Sequence, residues 1–262
     1  MSGCWSVIRN SGLGDEMENA TGVKRKLAII GVTAATEREE QLVTYLASGG
    51  YEGQLAEIED LTKIKPLGII LDISPFSDDG WGKLLKVKSS PETRNIPVLP
   101  IYLSETGDIG GVFPVTDFFT LPVDEQYLMD RLAILGLTQE AETWDLQVMI
   151  ASGSAEVQIS KTLESAGFEI IRAYNGKEAL ALSSIHPSYF CFSSIMQPDM
   201  SAFELLEKFR LYPYNGNTPF FVLLKMNMRE EEKTELSMEV AHLVSKKQLS
   251  CTEFLSHLRR RG

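Results

Sequence analysis

One spacing pattern occurs twice in this chain. Leu71-Asp72-Ile73-Ser74-Pro75 leads to Asp79-Gly80-Trp81, Leu84 and Ile96-Pro97-Val98-Leu99. Ser193-Ser194-Ile195-Met196-Gln197-Pro198 leads to Ser201-Ala202-Phe203, Leu206 and Thr218-Pro219-Phe220-Phe221. Asp72 to Trp81 is nine positions, as is Ser194 to Phe203, and Asp72 to Pro97 is 25, as is Ser194 to Pro219. A fixed spacing of this kind marks one structural unit used twice. The copies differ at their central residue, an acid in the first and a serine in the second.

Around this frame the chain alternates apolar runs with amphipathic stretches. Leu27-Ala28-Ile29-Ile30-Gly31-Val32 is continuous and apolar, as expected of a strand buried on both faces of a parallel sheet. Thr36 with Glu39 forms a capping box before the helix of Leu42, Val43 and Leu46, which Gly49-Gly50 stops. Strands are expected at 51–58, 67–71, 97–103 and 116–120, and helices at 80–88 and 125–135. In the second half, strands are expected at 148–151, 168–173, 189–193, 220–224 and 242–245. Helices alternate with them at 155–166, 176–185, 202–211, 229–238 and 252–260. Strand–helix alternation repeated five times predicts an α/β class with two consecutive doubly wound five-stranded parallel sheets. The expected organisation is a disordered leader at 1–24, a first domain at 25–136, a linker at 137–145 and a second domain at 146–260. Met17 is an alternative start within the leader.

Charge and cysteine content narrow the function. The net charge is −11, and residues 146–262 balance 13 basic against 13 acidic residues, so the excess acidity lies in 1–145. Such a surface repels nucleic acid. Cys4, Cys191 and Cys251 are odd in number and scattered, which argues against a disulfide framework or zinc site and for a reducing cytoplasm. No apolar run approaches the roughly 18 residues of a membrane helix. Neither glycine-rich phosphate loop occurs after a strand. His186, His242 and His257 have no acid or thiol partner motif, and His186 reads as a helix-end cation. Glu230-Glu231-Glu232 reads as a solvated helix start, and Arg259-Arg260-Arg261 as cations after a last turn.

The ordered motifs resemble the receiver domains of bacterial two-component response regulators. The resemblance rests on Leu71-Asp72-Ile73 with Asp79-Gly80-Trp81, Pro91 to Val98, and Thr120-Leu121-Pro122-Val123. In the second half it rests on Gly167-Phe168-Glu169, Asn175-Gly176-Lys177-Glu178-Ala179-Leu180, and Ile195 to Met200. It implies a flavodoxin-like fold and a phosphoacceptor aspartate at the end of the third strand. It further implies two acids after the first strand that help hold Mg²⁺ and a lysine before a cis proline after the fifth strand. Last, it implies a Ser or Thr ending the fourth strand.

Against that pattern, Asp72 stands at the phosphoacceptor position, but residues 31–36 offer no carboxylate. Leu121 replaces the lysine, Pro122 is a candidate cis proline, and the hydroxyl position falls on Tyr102 or Ser104. Glycines at 107, 110 and 111 predict that the fourth helix is short or lost in this half. In the second half Ser194 replaces the acceptor, Leu224 replaces the hydroxyl, and Lys246 matches the lysine while Lys247 replaces the proline. Asp78 and Asp79 are the nearest substitute metal ligands, although Asp79-Gly80 is also a common turn pair. Phe118, at the family's switch aromatic position, with Phe119 and Tyr127 is a candidate protein interface. Leu243 falls at the same position in the second half.

The expectation is therefore a degenerate tandem receiver without catalytic residues, bound metal or cofactor. It would act as an adaptor in a two-component (phosphorelay) pathway, and its partner would be a histidine kinase, a regulator or a second copy, with neither nucleic acid nor membrane. Two alternatives remain open at this point: a regulator phosphorylated at Asp72, and a small-ligand or nucleotide sensor using loops 33–36 and 152–154.

Overall fold

The computed structural model describes residues 25–33, 37–139, 146–152, 157–244 and 248–259. The leader at 1–24, Thr36 of the expected capping box, most of the expected linker, loop residues 153–156, and Lys246 with Lys247 lie outside the described residues.

The chain forms two sheets. The first contains β1 (Arg25–Ile30), β2 (Tyr51–Leu55), β3 (Gly68–Asp72), β4 (Val98–Leu103) and β5 (Ile109–Val112), in the order β2-β1-β3-β4-β5. Its strands are parallel except β5, which pairs antiparallel with β4. The second contains β6 (Asp117–Leu121), β7 (Gln147–Ala151), β8 (Glu169–Ala173), β9 (Phe190–Ser194) and β10 (Phe220–Lys225), all parallel, in the order β6-β10-β9-β7-β8. The expected class, α/β with two five-stranded sheets, holds; β5 alone departs from the expected parallel pairing.

The helices are α1 (Glu40–Ser48), α2 (Leu61–Ile64), α3 (Gly80–Ser89), α4 (Glu125–Ile134), α5 (Val157–Ser165), α6 (Gly176–Ile185), α7 (Ala202–Arg210), α8 (Glu230–Leu243) and α9 (Cys251–Arg259). Where a strand was expected at 242–245, α8 continues through Leu243. Its burial of Leu236 and Val240 on one face favours the helical period over a fifth strand.

The division between units differs from the division between sequence halves. Of the described residues, 115–227 form one continuous unit, and the other is discontinuous, containing those from Arg25 to Pro114 together with those from Met228 to Arg259. The cut therefore falls before β6 rather than in the 137–145 linker. In the discontinuous unit the edge beside β4 is taken by β5, from the glycine-rich stretch where the fourth helix was expected to be short or lost. β6 then lies beside β10, with Phe119 opposite Leu223 and Leu121 opposite Lys225.

The aromatic packing explains that pairing. Phe119 lies 5.8 Å from Phe192 and 5.7 Å from Phe221, and Phe192 stacks on Phe221 at 5.0 Å. Fully buried rings of this size dominate a core's apolar gain. α4 follows β6 because buried Arg131 bonds Asp117 at 2.7 Å, tying strand and helix together. α8 and α9 belong to the discontinuous unit, where Phe254 and Leu258 of α9 join the core of Leu27, Ile29, Leu42 and Leu46. Trp81 Nε1 donates to Ser237 Oγ of α8 at 3.0 Å.

Both units use one device at the end of the helix that follows the central strand of the sheet, β3 in one and β9 in the other. In α3, buried Lys88 donates to the carbonyls of Arg94 and Ile96 at 3.0 and 2.9 Å. Sixteen positions after Ser194, as Lys88 is after Asp72, Arg210 Nη1 reaches the carbonyls of Asn215, Gly216 and Thr218. The repeat is thus legible down to the cation that organises this loop.

Candidate functional site

β3 ends in Asp72, and the topology brings three loops to its carboxylate. Gly31, after β1, has φ +87°, and a Cβ there would lie 2.7 Å from the Asp72 carbonyl. Gly80, opening α3, comes closer still: its Cβ would lie 2.0 Å from the same carbonyl oxygen. Only residues without a side chain allow both backbones to approach this far. Asp79 caps α3 by accepting from the Gly82 amide at 3.1 Å.

Asp72 is fully buried, and both of its carboxylate oxygens are hydrogen-bonded. Oδ1 accepts from the amides of Ser74 at 3.0 Å and Leu103 at 3.2 Å. Oδ2 accepts from Arg38 Nη2 at 2.9 Å. Arg38, itself buried, also donates from Nη1 to Phe76 O at 2.6 Å and from Nε to Ser104 O at 3.1 Å. Its Nη2 further reaches Ser74 Oγ at 3.3 Å and Leu103 O at 3.1 Å. The Phe76 ring lies 5.8 Å from the guanidinium. Burial pushes the Asp72 carboxyl above its ordinary range, opposed by the Ser74 amide, the Arg38 charge, the Ser74 hydroxyl and the Leu103 amide. A buried charge of this kind is tolerated because it is paired and hydrogen-bonded.

Arg38 was missed in the sequence because the resemblance directs attention to acids after the first strand, and a cation there belongs to no family pattern. The signal available was a lone basic residue within a run of glutamates, Glu37-Arg38-Glu39-Glu40. Of the two residues competing for the hydroxyl position, Ser104 reaches the cluster, through its carbonyl rather than its hydroxyl. Asp78 and Asp79 pair with lysines instead of gathering: Lys83 bonds Asp78 at 2.8 Å and Lys233 bonds Asp79 at 3.1 Å. Among the described residues no three His, Cys, Asp or Glu side chains are grouped so as to hold a metal ion.

The corresponding cluster in the continuous unit is neutral. Ser194 Oγ donates to Ser152 Oγ at 2.8 Å, joining the ends of adjacent β9 and β7. Gln197 Nε2 spans to the Ala151 carbonyl and to Ser193 Oγ. Asp199, from the Gln197-Pro198-Asp199-Met200 motif, accepts from the first amides of α6, Gly176 at 2.8 Å and Lys177 at 3.0 Å. That motif clamps the sheet's loops together.

Two expectations need correction. Leu121 was assigned to the site of Asp72, but it lies on β6, opposite Lys225 of the continuous unit; the Leu121-Pro122 bond is cis, as anticipated. Lys246 lies outside the described residues. Phe118 and Phe119 are both buried, and Tyr127 packs on Phe119 with ring centroids 5.7 Å apart. The apolar surface expected there is closed: β6 is an edge strand, paired with β10 alone, yet Phe118 and Phe119, on its opposite faces, are both buried.

No protein-family model matches the chain, and no curated protein matches it. Solved structures do. A receiver domain of a signal transduction histidine kinase from Syntrophus aciditrophicus is 20% identical, covering 44% of this chain and 87% of that one, with a TM-score of 0.29. The chemotaxis protein CheY4 of Vibrio cholerae is 25% identical over 45% of this chain and 99% of that one, with a TM-score of 0.31. A two-component response regulator with a GGDEF domain is 13% identical over 84% of this chain and 99% of that one, with a TM-score of 0.27. At these scores the superpositions carry no argument, and the strand order decides. Both sheets have the strand order of the flavodoxin-like doubly wound fold, with the edge strand β5 of the first antiparallel. Open α/β sheets bind ligands outside the carboxyl ends of their strands, and Arg38 and Asp72 meet at that end here. Among the described residues no helix is long and apolar enough to cross a membrane.

Proposed function

We propose that the chain is a non-catalytic signalling adaptor of two receiver-like units, acting through protein–protein contacts in a two-component-type pathway without phosphorylation of Asp72. The Arg38–Asp72 pair carries this reading. In-line phosphoryl transfer needs an accessible carboxylate oxygen, a metal to neutralise the phosphoryl charge, and room for the incoming group. At Asp72 one oxygen is held by two amides and the other by a guanidinium, at a residue with no exposed surface. Arg38 gives the carboxylate the positive partner that a metal would otherwise provide. The hydroxyl pair of Ser194 and Ser152 supports the same reading for the continuous unit, since a serine there lacks the carboxylate on which the family's chemistry depends. The adaptor's partner would be a histidine kinase, another regulator or a second copy of the chain.

The test is intact mass after incubation with Mg²⁺ and a small phosphodonor such as acetyl phosphate. The expected result is the unmodified mass. A stoichiometric added phosphate that disappears in Asp72→Ala would establish the rival reading, a phosphorylated regulator.

A further inference from the structure

We propose that the Arg38–Asp72 pair controls the docking of the C-terminal helix α9 within the discontinuous unit, making α9 a releasable strap. An unbroken series of polar contacts joins the two. Arg38 Nε holds the Ser104 carbonyl, which also accepts from the Gly107 amide at 3.0 Å. A Cβ on Gly107, φ +88°, would lie 2.5 Å from the Arg38 carbonyl, so the turn after β4 sits directly on the arginine's backbone.

Within that turn, Ser104 Oγ accepts from the Asp108 amide at 2.9 Å, and Thr106 Oγ1 donates to Asp108 Oδ2 at 2.8 Å. Asp108 Oδ1 in turn accepts from Gln248 Nε2 at 2.7 Å. The Ile109 carbonyl accepts from the Leu249 amide at 2.9 Å, while the Ile109 amide donates to Gln41 Oε1 at 3.1 Å. Leu249 leads into α9, whose Ser250 caps the helix by accepting from the Glu253 amide at 3.3 Å.

The surface under this segment is shaped for close contact. A Cβ on Gly49 would lie 2.6 Å from Leu255 of α9, so the end of α1 meets α9 where no side chain intervenes. α9 contributes only Phe254 and Leu258 as fully buried side chains, a small apolar anchor for a nine-residue helix. Its neighbours are Leu42, Leu46 and Tyr45, which release would uncover. Loss of the Asp72 charge removes the strongest partner of Arg38, frees the guanidinium that steadies Ser104, and loosens the turn on which Gln248 and Leu249 rest.

Hydrogen exchange on the full chain tests this with Asp72→Asn, which keeps the side chain's shape and removes its charge. Amides of 107–109 and of Cys251–Arg259 are expected to exchange about 5–150-fold faster, the range of ordinary coupling free energies. β1, β3 and the continuous unit should keep their wild-type rates. An increase confined to 72–76, one spread evenly over the unit, or no change overturns the proposal. Coupling is reciprocal, so the exposed variant Gln248→Ala should speed exchange of the Leu103 amide, which donates to Asp72. An unchanged Leu103 amide in that variant overturns it as well, whether or not Asp72→Asn folds.

Discussion

Thr93 and Asn215 occupy the same place in the two copies, each 21 positions after the acceptor position, and they meet opposite fates. The Thr93 hydroxyl donates to the Val87 carbonyl at 2.8 Å in a buried turn. Asn215 is fully buried, and neither its Oδ1 nor its Nδ2 has a hydrogen-bond partner. A buried polar group left unpaired costs about 1–3 kcal/mol. Restoring the smaller hydroxyl by Asn215→Thr, which can bond the Phe209 carbonyl as Thr93 bonds that of Val87, should stabilise the continuous unit by about 1–2 kcal/mol. A rise in its urea midpoint checks this, and a fall would mean that the asparagine is satisfied in solution. Cys191 illustrates the other buried extreme: burial pushes its thiol far above the ordinary range, opposed only by the charge of Arg210, so it is an inert packing residue.

At the scale of elements, the main departure from the linear reading is the placement of β6 and α4. The strands' apolar runs were legible because a buried parallel strand needs them, and most helices were found from their period and caps. Which sheet each fifth strand would join was not legible, since a run such as Asp117-Phe118-Phe119-Thr120-Leu121 suits either sheet equally by pattern. The decision comes from tertiary packing: β5 already fills the edge beside β4, and Phe119 completes the aromatic cluster of Phe190, Phe192 and Phe221. The continuous unit is therefore a receiver-like fold that begins with its fifth strand and helix. A fragment of residues 115–227 should fold alone, with cooperative thermal unfolding and dispersed amide resonances. A fragment of 146–260 lacks β6, leaves the edge of β10 bare and should aggregate or stay unfolded. The opposite pattern would restore the sequential division at 137–145. In the site, the sequence revealed the missing acids but not Arg38, because absence is visible in a motif whereas a compensating charge from outside it is recognised only once the loops are brought together.

For the whole molecule, the proposed function has two copies of one fold losing the acceptor chemistry by different routes. One retains the aspartate and seals it with an arginine, while the other replaces it with a serine bonded to a second serine. A net charge of −11 does nothing to neutralise an incoming phosphoryl group, and the acids nearest Asp72, Asp78 and Asp79, are engaged by Lys83 and Lys233. The most direct test is an amide-resonance titration of the full chain with Mg²⁺ and beryllofluoride, a mimic of the phosphoryl group. Unchanged resonances for residues 72–79 and 101–108 are predicted throughout; saturable shifts in those two segments, abolished by Asp72→Ala, would contradict the account.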